Sequence, residues 1–403
     1  MINLEIPKKF GVMVRQAHHV ATEIFRPISR KYDTAEHAYP KELDMLAALL
    51  EGVSAGGGAS GAGATGVRRD KLEGDAGNRN GSNMSTALGA MELCWGDVGL
   101  LLSMPRQGLG NSAIASVANE EQLKRFAGRW AAMAITEPGC GSDSAAIRTT
   151  AVPDGDHYVL NGEKIYVTSG ERADLVVVWA TLNRNVGRAA IKSFVVEKDT
   201  PGFELVRLEH KLGIRASDTA AFVLKDCRVP RENLLGDPEV NVEKGFAGVM
   251  QTFDNTRPLV ASMAVGLTRA CLEHTRGALE QAGVRVDYSR PAIVQTAAAA
   301  EFLRMEADYE AARLLTLQAA WMADNRKPNS LQASMAKAKA GRTCVEVALK
   351  CVELCGAAGY GETELLEKWA RDAKILDIFE GTQQIQLLIV ARRLLGKSSA
   401  ELK

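Results

Sequence analysis

The hydrophobic period changes twice along this chain, and that double change limits the possible fold more than any other feature. Residues 4–52, 85–104 and 111–130 space their apolar side chains as helices do; Leu43, Leu46 and Leu50 fall at i, i+3 and i+7 of one helix face. Between 131 and 243 the spacing shortens. Apolar runs at 175–181, 193–197, 203–208 and 221–224 are separated by turn residues, with no room for helices between them. Residues 157–168 read as two short strands about Asn161-Gly162, because both turn residues tolerate positive φ. From 244 onward Ala, Leu, Met, Arg and Glu dominate, and four or five long helices fit, packed most simply as an antiparallel bundle. The expected class is α+β in three parts: an N-terminal helical domain (1–130), a middle β-barrel-like or sandwich domain (131–243) and a C-terminal four-helix-type bundle (244–403).

Composition narrows the function classes. A chain of 403 residues with 46% hydrophobic content can bury the cores of two or three domains. Lys+Arg and Asp+Glu balance at 49 each, so no basic excess points to nucleic acid or anionic lipid. No long uncharged apolar run would span a membrane, and residues 1–10 lack the apolar core of a signal peptide. Seven cysteines, an odd number with no CxxC pair, fit reduced thiols and a cytoplasmic protein. Cys351 and Cys355 lie four apart on an expected helix without a histidine at zinc spacing, so they read as packing residues, and the six histidines form no metal motif. The Gly-, Ser- and Asn-rich segment 54–83 reads as a mobile loop. Residues 61–66 within it match GxGxxG, but a helix precedes them and Arg68, Arg69 and Asp70 follow, so the strand–turn–helix context of a dinucleotide site is missing.

Two stretches could carry chemistry. In 373–396 two helical runs meet at Glu380-Gly381-Thr382, where glycine disfavours helix and threonine is a good N-cap. Glu380 is flanked by Ile378 and Phe379. It reads either as a solvated junction glutamate or as a carboxylate whose apolar setting raises its pKa toward that of a general base. In 134–143, two glycines and two hydroxyls surround Pro138. That segment is either an ordinary entry loop or one whose backbone N–H groups approach a flat or anionic ligand.

Four motifs together resemble the acyl-CoA dehydrogenase family of flavoenzymes. The string 136–143, T-E-P-G-C-G-S-D, is similar to its first signature, and the hairpin 156–168 is a looser form of the family's next conserved-order segment, D-x-x-x-G-x-K-x-x-x-T. F-D-N-T-R-P at 253–258 resembles the substrate-side helix, and I-F-E-G-T-Q-Q-I-Q at 378–386 the second signature. The resemblance implies helical, β and helical domains in that order, FAD as cofactor, and conversion of an acyl-CoA to a trans-2-enoyl-CoA. It places Glu380 at the catalytic base. A minority of the family carries the base beside the substrate-side arginine, where this chain has Thr256, which cannot serve. It places Gly381, Ser142, Asp254 and Arg257 at the substrate, although Asp254 and Arg257 also read as an i,i+3 helix ion pair. Ile135, Thr136, Gly141, Ser142, Thr382 and Gln384 fall at flavin contacts, with Tyr166 and Thr168 beside the ring. Many relatives have tryptophan at Tyr166. The acyl group would be held through its thioester carbonyl by the backbone N–H of Glu380 and a flavin hydroxyl. An electron-transferring flavoprotein would take the electrons.

The departures are local. The family's Arg-x-x-Phe-Gly, whose arginine reaches FAD across a subunit interface, becomes 285–289, R-V-D-Y-S, leaving Arg285 as its counterpart. The glutamine downstream falls at Thr296, with Gln295 one place early. Gln-x-x-Gly-Gly becomes 353–357, E-L-C-G-A, so Glu353 and Gly356 stand at a cofactor position where a carboxylate would oppose phosphate. The expectation is a tetramer or dimer, either of one chain or of this chain with a related subunit. Alternatives within the fold are an oxygen-using oxidase or monooxygenase, and a subunit that only completes a partner's flavin site.

Overall fold

The computed structural model describes residues 6–55, 79–105, 109–240, 247–397 and 401, with side chains at 49–55 and 247–255 excepted. The glycine-rich GxGxxG segment at 61–66 lies outside the described residues, whereas Ser82 and Asn83, expected in the same loop, open a helix. α1 (Gly11–Val20) continues through a π-turn into α2 (Arg26–Thr34), followed by α3 (Glu42–Ala55), α4 (Ser82–Gly96), α5 (Val98–Leu102), α6 (Leu109–Val117) and α7 (Glu120–Arg125). The strands are β1 (Ala131–Ala134), β2 (Thr150–Asp154), β3 (His157–Thr168), β4 (Leu175–Thr181), β5 (Ile191–Glu197), β6 (Phe203–Leu208), β7 (Thr219–Pro230) and β8 (Leu234–Leu235). Helices α8 (Ala247–Gln281), α9 (Ala297–Asp324), α10 (Ser330–Tyr360), α11 (Leu366–Leu376) and α12 (Gln383–Leu395) complete the order.

The strands form one sheet in the order β6-β7-β3-β2-β4-β5-β8, with β1 alongside β4. β4 is buried along its whole length. Its two faces pack different cores, Val176 and Val178 against Leu160, Phe194 and Phe222, and Leu175 and Val177 against Ile114 and Phe126 of the α6–α7 region. Residues 157–168 are one continuous strand rather than a hairpin. The tight turn lies just before, at Gly155-Asp156, with Asp154 opposite His157 and Gly155 at φ 60°. Gly162 serves a close crossing instead: a Cβ there would fall 2.4 Å from Thr149 Oγ1. Asn161 supports the adjoining register slip by accepting the Asp226 N–H at 2.9 Å. β1, Ala-Ala-Met-Ala, escapes sequence pattern because its conformation comes from parallel pairing with β4 and not from propensity.

The helices before and after the sheet share one core. Phe25, Leu43, Met91 and Leu100 pack with Leu259, Leu267, Phe302 and Trp369. α8 and α10 run parallel: Cys355 Sγ lies 3.6 Å from Thr275 Oγ1 far along both helices, and Cys351 is buried beside them. This agrees with the packing reading of that cysteine pair. Glu92 on α4 joins three helices, bonding Arg269 on α8 and His18 on α1 at 2.9 Å each.

One buried charge cluster ties all three parts of the chain together. The expected helical run 85–104 breaks at Asp97, whose carboxylate caps α5 by accepting from Leu100 N at 2.8 Å. The same carboxylate accepts from Ser29 of α2 and from Lys368 of α11. Lys368 also pairs with Asp372 at 2.7 Å, and Asp372 accepts the N–H of Ile214 from the β6–β7 connection. All three charged side chains are at most 1% exposed. Removing one partner leaves the others buried and uncompensated, so Asp97→Ala should cost about 3–5 kcal/mol of unfolding free energy in a denaturant titration. A loss below about 1 kcal/mol, the level of a surface ion pair, would show that the cluster does not hold the parts together.

Candidate active site

The junction between α11 and α12 is built to hold one carboxylate. After Leu376 the chain leaves helix, and Glu380 and Gly381 both take left-handed backbone, φ 55° and 89°. For a non-glycine residue that costs on the order of 1–2 kcal/mol, so neighbours must fix it. Thr382 caps α12 through its hydroxyl, as its sequence position predicts. The fully buried Gln386 donates from Nε2 to the carbonyls of Glu380 (3.0 Å) and Gly381 (3.1 Å). A Cβ on Gly381 would lie 2.4 Å from that amide, so glycine is required there. From α10, Lys337 Nζ donates to the Gly381 carbonyl at 2.7 Å.

The Glu380 side chain is partly accessible and accepts from Thr256 Oγ1 of α8 at 2.8 Å. Burial pushes its pKa above the ordinary carboxylate value, opposed in part by the Thr256 bond and by the charges of Arg257 and Lys337. A carboxyl raised in this way is a stronger proton acceptor than an ordinary one, the direction a general base needs. Its backbone N–H has no acceptor among the described residues. Arg257 is buried beside this junction, 3% exposed. The side chain of Asp254 lies outside the described residues. Sequence reasoning dismissed Thr256 as a base, and it serves instead as the carboxylate's donor. Lys337 and Gln386 were not singled out, although a signal for Lys337 existed: it falls on the face marked by Ala333, Ala340, Gly341 and Cys344, all buried.

The second group of expected site residues forms a shelf at the edge of the sheet. Glu137 and Cys140 close a two-residue turn by reciprocal backbone bonds of 3.0 and 3.1 Å, and Thr136 O accepts from Ile165 N of β3 at 3.0 Å. Beneath it, Glu137 accepts from Lys164 Nζ (2.7 Å), Thr149 Oγ1 (2.6 Å) and the backbone of Arg148 and Thr149. Lys164 is fully buried and also donates to Ile135 O at 3.1 Å. Pairing of β3 with β7 slips between Lys164 and Val167, so both side chains point inward while Tyr166, at φ 57°, is turned out and 62% exposed. Gly141, Ser142 and Tyr166 are exposed, Thr136 and Thr168 half-buried, and Ile135 packs partly against the core beneath. Thr382 and Gln384 belong to the Glu380 junction.

Arg285, Glu353 and Gly356 lie elsewhere. Glu353 is sixteen residues beyond Lys337 on α10, about 24 Å along the helix axis. It pairs with Lys350 at 2.6 Å on the surface. Gly356 kinks α10 with φ 58°. Arg285 is exposed after the far end of α8, and the neighbouring Tyr288 is turned back onto its own chain, bonding Arg276 and Glu306.

Comparison with known proteins identifies the family and the fold. Residues 132–227 match the description "Acyl-CoA dehydrogenase, middle domain" and residues 243–395 match "Acyl-CoA dehydrogenase, C-terminal domain". The mitochondrial short-chain specific acyl-CoA dehydrogenase of Rattus norvegicus is 39% identical over 262 residues, 65% of this chain and 62% of the rat protein. This chain therefore spans less than two thirds of the rat relative's length in the matched region. An acyl-CoA dehydrogenase of Bacillus subtilis is 36% identical over 305 residues, 74% of this chain and 78% of the relative. Butyryl-CoA dehydrogenase of Megasphaera elsdenii superposes with a TM-score of 0.82 at 29% identity, covering 98% of this chain and all of the other. The chain belongs to the acyl-CoA dehydrogenase family.

The shelf has a pH signature. Burial alone would raise the Glu137 carboxyl, but Lys164, Thr149 and the backbone donors outweigh it and hold the group below its ordinary 4.5. A carboxyl depressed in the folded state contributes stability that is complete above its unfolded value and lost as pH falls through the folded one. The stability difference between the protein and Glu137→Gln should be constant above about pH 5 and shrink below pH 4.5 in denaturant titrations. A difference independent of pH would show that the Glu137 charge is not engaged.

Proposed function

We propose that this protein is an FAD-dependent acyl-CoA dehydrogenase that removes the α and β hydrogens of an acyl-CoA thioester, with Glu380 as the α-proton base. The observation that carries the proposal is the Glu380 carboxyl itself: raised by burial, hydrogen-bonded by Thr256, and fixed on a left-handed turn at an accessible surface. The shelf suits a flat conjugated ring. Tyr166 is exposed there, and the nearest atom to a Cβ added at Gly141 would be Thr136 Cγ2 at 3.9 Å, so the loop backbone is open to a ligand. Ile135, Thr136, Gly141, Ser142, Tyr166, Thr168, Thr382 and Gln384 would hold FAD, which when bound supplies the acceptor for the β-hydride.

The chain's own groups do the rest. Ser142, Arg257 and Gly381, with Asp254, border the substrate. The N–H of Glu380, which has no acceptor among the described residues, would donate to the thioester carbonyl and stabilise the negative charge that develops as the α-proton leaves. The carboxylate of the same residue takes that proton. Because one residue supplies both groups, the fixed φ of Glu380 sets their relative direction.

The working assembly is an oligomer in which Arg285, Glu353 and Gly356, distant from their own Glu380, serve a neighbouring chain's cofactor. A second reading, with a related but different subunit as that neighbour, is favoured by Glu353, whose negative charge would face cofactor phosphate. An electron-transferring flavoprotein is the proposed electron acceptor. Anaerobic addition of straight-chain acyl-CoAs of increasing length should bleach the flavin absorbance for at least one of them. Glu380→Gln should retain FAD and slow bleaching by about 10²–10⁴-fold, the usual range for a general base. Absence of bleaching with every acyl-CoA would remove the enzyme reading, and undiminished bleaching in the variant would place the base elsewhere.

A further inference from the structure

A lysine with no exposed surface lies under the proposed base without belonging to the family motifs or to the proposed catalytic steps. Lys337 projects from α10 on its buried face. Its one hydrogen bond among the described residues is to the Gly381 carbonyl at 2.7 Å, and it forms no ion pair there. An ammonium has three donors, and the described residues engage one of them. A buried polar group in that state is costly and is retained where it serves a purpose.

The charges around it identify the purpose. Three charged groups face Lys337: Asp377 at the end of α11, Glu380 in the junction, and Arg257 on α8. Arg257 repels it. Asp377 is already shared by Lys374 at 3.2 Å and Arg342 at 3.5 Å. Glu380 has hydroxyl support from Thr256 but no ion-pair partner of its own among the described residues. Lys337 therefore has two counter-charges, Asp377 first and Glu380 second, and Glu380 is the one that has no ion-pair partner of its own among the described residues.

We infer that Lys337 is a positioning residue for Glu380: its donor clamps the Gly381 carbonyl and so the left-handed turn, and its charge favours the ionised form of the Glu380 carboxyl. The inference rests on the proposed role of Glu380 and adds a second lever to it. Gln386 clamps the turn from α12 and Lys337 from α10, so the turn is held from two helices. Burial lowers the Lys337 pKa to about 8, against the pull of Asp377 and Glu380, which leaves it charged where Glu380 must be a carboxylate.

Two variants separate the two roles. Lys337→Gln keeps an N–H donor for the carbonyl and removes the charge; Lys337→Met removes both. The Glu380 titration can be read without turnover, as the infrared carboxyl band lost between the protein and Glu380→Gln at each pH. Removing a nearby positive charge should move that titration up by about one pH unit in both variants. The acid limb of anaerobic flavin bleaching should move with it, giving about a tenfold loss of rate below the midpoint. Lys337→Met should in addition lose at least tenfold on the pH-independent plateau, while Lys337→Gln should keep most of it. An unmoved Glu380 titration in folded Lys337→Gln overturns the electrostatic role, and equal plateaus in the two variants overturn the clamp. If the protein itself bleaches with no acyl-CoA, the proposed function falls, yet the infrared titration still decides whether Lys337 governs Glu380.

Discussion

Lys368 is a charged side chain with no exposed surface to speak of, and the arrangement of the whole chain depends on its two aspartate partners. Asp97 breaks the helix before it, and Asp372 holds the Ile214 backbone. Apolar surface between the helices before the sheet, the β6–β7 connection and the C-terminal bundle is not directional. The cluster acts alongside other polar ties, such as Arg371 with Asp33 and with the Leu212 carbonyl. Charge pairing adds registry. The cluster sits on α11, whose last turn leads directly into Glu380, so the element that organises the parts also sets where the site begins.

The site repeats that logic on a smaller scale. Two buried lysines each organise a loop that could not hold its shape alone. Lys164 gathers Glu137 and Ile135 under the shelf, and Lys337 holds Gly381 beside Glu380. Both lysines are lowered in pKa by burial; Lys164 is paired with the Glu137 carboxylate, and Lys337 is attracted by the Asp377 and Glu380 charges without an ion pair among the described residues. The exposed surface presented by these loops, Tyr166 and the open backbone on one side and the Glu380 carboxyl on the other, gets its precision from charges that never meet solvent.

Much of this was legible in the chain. The order helix, sheet, helix followed from period alone, and Glu380, Thr382 and the 134–143 loop stood out as motifs with a mechanism. The failures have physical causes. Asn161-Gly162 carried the strongest short-range hairpin signal, yet the glycine is there because Thr149 crosses it, a tertiary constraint that local pattern does not contain. β1 is a strand because β4 lies beside it. Lys337 and Lys164 were not singled out because lysine is usually solvated, and for Lys337 the helix face marked by Ala333, Ala340 and Gly341 was the available hint. Thr256 was dismissed for lacking a base, when its hydroxyl was needed as a donor.

The central claim is that Glu380 removes an α-proton, and isotope exchange tests it most directly. Butyryl-CoA incubated anaerobically with the FAD-loaded protein in D₂O should take up deuterium at its α-carbon, read by NMR, because the proton held by Glu380 exchanges with solvent before it is returned. Glu380→Gln with FAD bound should show no uptake above the protein-free control. Equal α-exchange in the protein and in Glu380→Gln would contradict the account.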